Sequence, residues 1–507
     1  MAKNNLPTSL YTAAQVRQLD NLAIEQGGIP GIQLMKRAGR AAFDYLLARW
    51  PECSSLIVFC GGGNNGGDGY VIAALAAQRQ LNVVVVAVTE PASLVGDAMR
   101  AYQYALQEGV AIKPITELAA LEPDASTVFV DALLGTGIHG AVREPFSQVV
   151  EYINQQAQPT LAVDVPSGIC SDSGRVLGCA VKADATITFI GVKQGLLTGR
   201  APAFVGELIF DDLATVNIES DDYQSARALL KASALRIDGA QMQGRLRQRE
   251  QDAHKGLFGH VMVIGGDSGF GGAVAMAAEM AARSGAGLTS VATRPEHVGP
   301  VLTRLPELMV SGVSSGQSLE PLLARPSVLV VGPGLGRSPW SEQMLQQAAK
   351  KDLPMVVDAD ALNIIAEGRV LPSPWRENWI LTPHPGEAAR LLDTDIATVQ
   401  ADRFKAARKL QLNFGGVVIL KGAGTVIAAD DSVYLANVGN PGMATGGMGD
   451  VLAGLLGGLL AQGVAPLEAA MIAVCAHGDA ADLAVADAGM RGLLATDLIP
   501  YIRELLN

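Results

Sequence analysis

The chain is poor in charge: Asp, Glu, Lys and Arg make up 17% of its 507 residues, against 49% hydrophobic residues. That balance excludes a disordered chain and calls for large, well-filled cores. Cysteine is scarce too. Cys53, Cys60, Cys170, Cys179 and Cys475 form no CxxC pair, which gives no zinc signal and fits a reducing compartment. Long apolar runs are missing. The longest uncharged stretch, Val451 to Leu467, is broken by Gly454, Gly457, Gly458 and Gly463, so a membrane span is not expected. The opening MAKNNLPTSLYTAAQ has no apolar signal core, and a cytoplasmic protein is expected. Repeats of solenoid period and low-complexity tracts are absent. A net charge of −12 and a pI near 5.1 argue against nucleic acid as the main partner. A polyanionic ligand must then be met by local backbone N–H groups and a few cations.

Glycine is abundant, at 57 residues with no collagen-like period, which suits many tight strand-to-helix turns. The length predicts two or more domains. Helical spacing covers Tyr11 to Trp50, with a GGIPG break. A strand at Ser55 to Cys60 then meets GGGNNGGDG, a helix from Tyr70 to about Gln80, and a strand at Asn82 to Val88. This is a βαβ unit with a phosphate-ready crossover, although its turn is not taken as a standard dinucleotide fingerprint. Strands at Thr127 to Asp131, Thr160 to Val165 and Ala185 to Ile190 lead into ALLGTGIHG, PSGIC and GVKQG. Near-continuous apolar strands between helices predict a parallel sheet covered on both faces.

Ligands of such sheets lie beyond the carboxyl ends of the strands. Asn64, Asn65, Asp68, Asp131, the Gly135 to Gly140 loop, Asp164 and Ser167 therefore share one crevice. Their hard oxygen donors suit an alkali or alkaline-earth cation; each could alternatively cap a helix or turn. Polar residues rise near Asn217 to Leu235, where the domain join is expected. The boundary is drawn as residues 1–222 and 223–507.

The second half restarts with a strand at His260 to Ile264 and a small-residue helix at Ala273 to Ala282. Strands at Val328 to Val331, Met355 to Asp358, Trp379 to Leu381 and Val417 to Leu420 precede GPGLG, ADALN, TPHPGE and KGAGT. A second crevice would gather Gly332, Asp358, Asp360, Asn363, His384, Glu387 and Lys421 to Thr425. Lys421 could place a charge on a nucleotide phosphate, or be a surface lysine at a strand end. Glu387 could help hold magnesium, or be a first-turn glutamate favoured by the helix dipole. His384 is read as a substrate contact, and His254, His260, His297 and His477 as structural.

The most informative stretch is Asn440 to Gly454, NPGMATGGMGDVLAG. No Gly-Lys-Ser/Thr follows its glycines, so it is not a Walker A loop. A glycine turn that opens a helix gathers free N–H groups at the positive end of the dipole, where anions bind. Asp450 sits at that mouth, placed to take a proton from a hydroxyl. The alternative is a buried helix with Asp450 as its N-cap.

With both halves laid out, GGGNNGGDG, DALLGTG and VDVPSG in the first, and GPGLG, TPHPGE, KGAGT and GGMGD in the second, the chain resembles the bifunctional NAD(P)H-hydrate repair enzymes. The resemblance spans essentially the whole sequence. It implies an α/β chain of two domains: an N-terminal Rossmann-like parallel-sheet epimerase and a C-terminal ribokinase-like dehydratase. The first would exchange the R and S hydrates of NADH and NADPH, and the second would restore the S form at the expense of ADP, releasing AMP and phosphate. Carried over residue by residue, K+ would fall on Asn65, Asp131 and Ser167. Hydrate would contact Asn64, Gly135, Thr136, Gly137, Ile138, His139, Gly140 and Asp164 in the first half, and Ala273, Gly332, His384 and Asp450 in the second. Nucleotide, ADP with Mg2+, would contact Lys421, Gly422, Ala423, Gly424, Thr425 and Gly449. Asp450 and Asp164 are the expected catalytic residues. The partners implied are small molecules, with neither nucleic acid nor membrane, and a homo-oligomer is expected. Met448 stands where related kinases have Thr in Gly-Thr-Gly-Asp, so the anion site is expected to be built from backbone. A sugar or vitamin kinase using the same Asp450 logic, and a non-catalytic nucleotide-sensing first half, are the competing readings.

Overall fold

A computed structural model of the chain describes residues 6–138, 140–242, 244–371 and 373–507. It divides into two compact units, Met1–Leu235 and Arg236–Asn507.

In the first unit a seven-stranded sheet runs, in space, Ala111–Pro114, Asn82–Ala87, Ser55–Cys60, Thr127–Ala132, Thr160–Val163, Ala185–Phe189, Glu207–Asp211. Every neighbouring pair is parallel. The chain builds outward from Ser55–Cys60 in one direction, then returns and builds outward in the other. The switch point falls between Ser55–Cys60 and Thr127–Ala132, which is where a doubly wound sheet opens its ligand crevice. Along Ser55–Cys60, Leu56, Val58 and Cys60 face one core with the helices Gly31–Arg49 and Asn64–Gln78, while Ile57 and Phe59 face another with Val149, Val150 and Ile153 of the helix Phe146–Gln155. Burial on both faces is why the strands are apolar throughout. Each such side chain contributes about 1.5–3 kcal/mol.

The glycine run after this strand differs from its expected form. The helix begins at Asn64, not near Tyr70, so most of GGGNNGGDG is helical. Gly63 is the N-cap. Gly66 is required because a Cβ there would overlap the Gly61 carbonyl oxygen, and a Cβ at Gly69 would crowd Cys60 and Ala132. Gly61, Gly63 and Gly66 do carry the G-x-G-x-x-G spacing, with Gly66 letting the helix close onto the strand. Setting that fingerprint aside on sequence is corrected here. At the other end of the unit, Leu10 pairs with Ala234 and Val192.

The second unit repeats the plan. Its strands run Met309–Gly312, Leu288–Thr293, His260–Ile264, Val328–Val331, Met355–Val357, Trp379–Leu381, Val417–Leu420, Thr425–Ala429, Ser432–Ala436. They are parallel as far as Val417–Leu420 and antiparallel beyond it. Ile264 pairs with Val331, Val331 with Val357 and Val357 with Leu381, so the strand ends and the loops that follow them come level at one edge. The helix Met448–Ala461 packs against Gly271–Arg283; a Cβ at Gly454 would overlap the Ala277 carbonyl. Its glycines thus serve close helix contact. The helix Pro466–Ala488 is long and apolar enough to cross a membrane by length and composition, and most of that apolar window is buried within the protein.

Candidate active sites

In the first unit, backbone and side chains converge on the switch point. The N–H groups of the first turn of Asn64–Gln78 have no side-chain cap and remain available to an anion. Asn64 is exposed at this end. Asn65 turns inward: both polar atoms of its amide are buried without a partner, beside the Gly135 backbone. Asp131, fully buried, accepts from Ser167 Oγ at 2.6 Å, Ser167 N at 2.8 Å and Leu133 N at 3.2 Å. Burial pushes its carboxyl up to about 6 against the pull of those bonds. Ser167 Oγ also bonds the Leu134 main chain, which ties the loop that begins there to the Asp131 pair. The loop residues Gly135, Thr136 and Ile138 are partly exposed and Gly137 and Gly140 exposed; His139 lies outside the described residues.

Asp164 has a positive φ of 67°, a costly conformation for a residue with a Cβ. Its Oδ1 accepts from Lys193 Nζ in a short contact, from Thr188 Oγ1 at 3.2 Å and from Phe189 N at 3.4 Å. Asp20, on the helix Ala13–Glu25, and Asp68 face the same pair. Burial raises both carboxyls, Asp20 to about 6, with Asp164 adding to the shift. Sequence reasoning missed Lys193 and Asp20. Lys193 stands in the GVKQG that was read only as a turn, and Asp20 sits in an amphipathic helix far from any glycine motif.

The second site lies at the level strand ends of the other unit. Gly332, with φ 132°, must be glycine because a Cβ would overlap the Asp358 carbonyl. Asp358 is buried; its Oδ1 accepts from Thr382 Oγ1 at 2.6 Å and Lys421 Nζ at 2.8 Å. Burial acts to lower the Lys421 ammonium, but Asp358, Glu387 and Asp450 outweigh it and raise it. Lys421 is therefore a fixed cation, not a solvated strand-end lysine. It lies against position 449, where a Cβ would come 3.2 Å from Lys421 Nζ and 3.5 Å from Asp358 Oδ2.

Gly449 and Asp450 occupy the first turn of Met448–Ala461, and its N-cap is Gly447, in left-handed conformation. Asp450 is thus not the cap. Burial pushes its carboxyl up to about 7, Asp358 adding to the rise and Lys421 opposing it. The result is a carboxyl that changes protonation near neutral pH, beside a cation and free helix N–H groups. Beneath the KGAGT loop, the buried Arg403 guanidinium donates to the carbonyls of Leu420 at 3.1 Å and Lys421 at 3.2 Å. Gly422, with φ 141°, lies directly on it. Sequence gave no signal for Arg403, which opens the helix Arg403–Phe414.

His384 caps the helix Pro385–Leu391: its Nδ1 accepts from Gly386 N at 2.9 Å and Glu387 N at 3.3 Å. With Nδ1 accepting, Nε2 carries the ring proton and lies 3.3 Å from Glu387 Oε1. Glu387 is buried and raised to about 7 by burial, and its Oε2 accepts from His384 N at 2.7 Å. Ala273, in the first turn of Gly271–Arg283, approaches the Gly334 backbone of GPGLG. Asp360 and Asn363 bond each other and the Gly336 and Arg390 groups. His477 is buried with Nε2 unpartnered, and burial pushes it down to about 4. Among the described residues, no group of three or more His, Cys, Asp and Glu is gathered as for a metal.

Comparison with known proteins agrees with this division. The family model for NAD(P)H-hydrate dehydratase matches residues 261–504, and that for the YjeF-related protein N-terminus matches residues 31–195. The chain is 49% identical to a bifunctional NAD(P)H-hydrate repair enzyme of Coxiella burnetii, covering 99% of this chain and 100% of that one. It is 41% identical to its Escherichia coli counterpart, covering 100% and 96%. Among solved structures it is similar to an ADP/ATP-dependent NAD(P)H-hydrate dehydratase of Bacillus subtilis co-crystallized with ATP/Mg2+, at 27% identity and a TM-score of 0.48, covering 53% of this chain and 95% of that one. With matches of 30% identity and more running the full length of both chains, and both glycine-lined crevices in place, the chain belongs to the family of bifunctional NAD(P)H-hydrate repair enzymes.

Proposed function

We propose that the first unit exchanges the R and S forms of hydrated NADH and NADPH, and that the second dehydrates the S form using ADP, releasing AMP and phosphate. The observation that carries this reading is Asp450, a carboxyl poised near neutrality, set in a helix mouth beside Lys421.

In the dehydratase, Asp450 takes the proton of the ring hydroxyl as its oxygen attacks the terminal phosphoryl group of ADP. The Gly446 to Gly449 amides and Lys421 meet the developing charge. The P–O bond to AMP breaks and AMP leaves. The ring nitrogen's lone pair then expels phosphate with the C–O electron pair, and the iminium so formed loses a proton from the adjacent ring carbon to water, which restores the reduced ring. Lys421 to Thr425 and Gly449 form the nucleotide side, while Ala273, Gly332 and His384 flank the hydrate. Glu387 would help hold Mg2+, which when bound would supply charge neutralisation on the phosphates.

In the epimerase, Asp164 is the acid/base and Asn64 and the Gly135 to Gly140 loop line the hydrate. Asp164 gives its proton to the ring hydroxyl, which leaves as water with the C–O electron pair while the ring nitrogen forms C=N. Water then adds to the other face and returns a proton. The buried, unpartnered Asn65 amide lies against Gly135, next in sequence to the Leu134 that bonds Ser167, and its oxygen with the Asp131–Ser167 pair is a donor set that suits a K+ ion. Asn65, Asp131 and Ser167 would hold it, and when bound it supplies a fixed positive charge. The enzyme acts in the cytoplasm on soluble dinucleotides, as a homo-oligomer.

The test is recovery of reduced cofactor from racemic hydrate, with and without ADP and Mg2+. Full recovery, with inorganic phosphate and no stable phosphorylated product, is expected. Recovery stopping near half would remove the epimerase reading, and a stable phosphorylated product would replace the dehydratase with a kinase.

A further inference from the structure

The cluster around Lys193 is built with more care than a fold needs. Lys193 is 1% exposed. Its ammonium donates to Asp164 Oδ1, to Thr188 Oγ1 at 3.1 Å and to Phe189 O at 3.1 Å, which uses all three N–H bonds. A lysine is rarely buried so fully unless its charge is matched. Here three acceptors meet the ammonium, and one of them, Asp164, is itself 18% exposed and so reaches the crevice. The bonds to the Asp164 carboxyl from Lys193, Thr188 and Phe189 all fall on Oδ1. Oδ2 is the oxygen left for a ligand. The strained backbone at Asp164 is held by its own N–H, which donates to Ile187 O at 2.7 Å. A strained, over-determined carboxyl at a crevice is where a functional role is expected.

We propose that Lys193 is a positioning residue for epimerisation: it locks Asp164 through Oδ1 and stabilises the carboxylate left when Asp164 gives up its proton. The inference rests on the epimerase reading above. It supplies what that reaction lacks. When the hydroxyl departs, the ring becomes a cation and Asp164 an anion, and Lys193 holds that anion in place until water adds and the proton returns. Thr188 relays the same hold by taking a bond from Lys193 and giving one to Asp164. The other charged groups facing the pair are Asp20 and Asp68, from two different helices, with Arg17 near Asp20. Burial raises both carboxyls above the ordinary range, which weakens their competition with Asp164 for the Lys193 ammonium.

A double-mutant cycle in the full-length enzyme tests this, read as R/S exchange of purified hydrate. Lys193→Met is expected to lower kcat about 10²-fold while the hydrate KM stays within about threefold. Asp164→Asn should cost at least as much. The double variant should be no slower than Asp164→Asn alone, because Lys193 acts only through Asp164. Thr188→Val removes one hydroxyl and should cost about three- to tenfold, an effect that vanishes in the Asp164→Asn background. Wild-type exchange by Lys193→Met, or losses that multiply in the double variant, overturns the proposal. If Lys193→Met loses its unfolding transition, the Thr188→Val pair decides alone: multiplied losses overturn the role, and lack of further loss upholds it. ADP-dependent dehydration of the S hydrate controls for the second unit. A wild-type enzyme with no R/S exchange would remove the epimerase reading itself, whereas exchange with multiplied losses removes only the role of Lys193.

Discussion

Lys421 Nζ donates to Asp358 Oδ1 across 2.8 Å, and Nζ together with the other carboxylate oxygen, Oδ2, borders the space that a side chain at position 449 would fill. Two strand ends and a helix mouth thus leave one hole, sized by a missing Cβ and lined by a cation. Gly449→Ala places a methyl group in that hole. The ADP KM for dehydration is expected to rise about tenfold, an energy of roughly 1.4 kcal/mol, with R/S exchange unchanged. Steady-state kinetics on the S hydrate check this; an unchanged KM would move the phosphate elsewhere.

Asp450→Asn is expected to lower ADP-dependent turnover by about 10²–10⁴-fold. In the wild type, the base must be deprotonated, so turnover rises with pH through a limb near the raised value of about 7. Stability runs the other way. A carboxyl raised on folding favours the folded state while both forms are protonated, and that contribution is lost as pH rises from the ordinary carboxylate range through about 7. Asp450→Asn should therefore melt higher than wild type at pH 8, by about 2–6 °C, and the gap should close toward pH 4. Thermal scans at both pH values read it.

Arg403→Met is expected to weaken ADP binding by about tenfold and destabilise the second unit by about 2–4 kcal/mol. Removing the guanidinium strands the Leu420 and Lys421 carbonyls, which are left buried without their donor. It also removes the surface on which Gly422 rests. Denaturant unfolding and nucleotide titration separate the two effects.

Potassium should stabilise the first unit. At constant ionic strength, replacing NaCl with KCl is expected to raise its melting temperature, since a ligand bound to the folded state adds RT ln(1 + [L]/Kd). Asn65→Ala and Ser167→Ala should abolish that rise. Equal melting in both salts would leave the orphaned Asn65 amide to another ligand.

Gly66→Ala tests the strand–helix contact. In an exposed helix the change would stabilise by about 1 kcal/mol. Here the new Cβ overlaps the Gly61 carbonyl oxygen, so a loss of roughly 3 kcal/mol or more is expected, read by denaturant unfolding.

Periodicity located the strands because a parallel sheet buried on both faces forces continuous apolar segments, and those at Ser55–Cys60, His260–Ile264, Val328–Val331, Trp379–Leu381 and Val417–Leu420 lie at the expected positions. The start of the helix after Cys60 was misplaced because glycine carries a poor helix propensity; the close approach of Gly66 to Gly61 shows that position 66 is glycine for packing within a helix that begins at Asn64. The motifs at strand ends pointed to Gly332, Asp358 and Lys421 in one crevice, since each follows a strand at the same edge; Gly449 was expected there only through the family resemblance.

Sequence by itself therefore determined the two doubly wound units, the crevices and the polar groups at the strand ends, because these follow from local pattern and from the rule that strand ends face the ligand. Tertiary structure alone decided which groups hold them. Lys193 reaches Asp164, Asp20 faces that pair from a separate helix, and Arg403 supports the KGAGT loop across a sequence gap. Those contacts depend on burial and long-range packing, which leave no periodicity or motif in the order of residues.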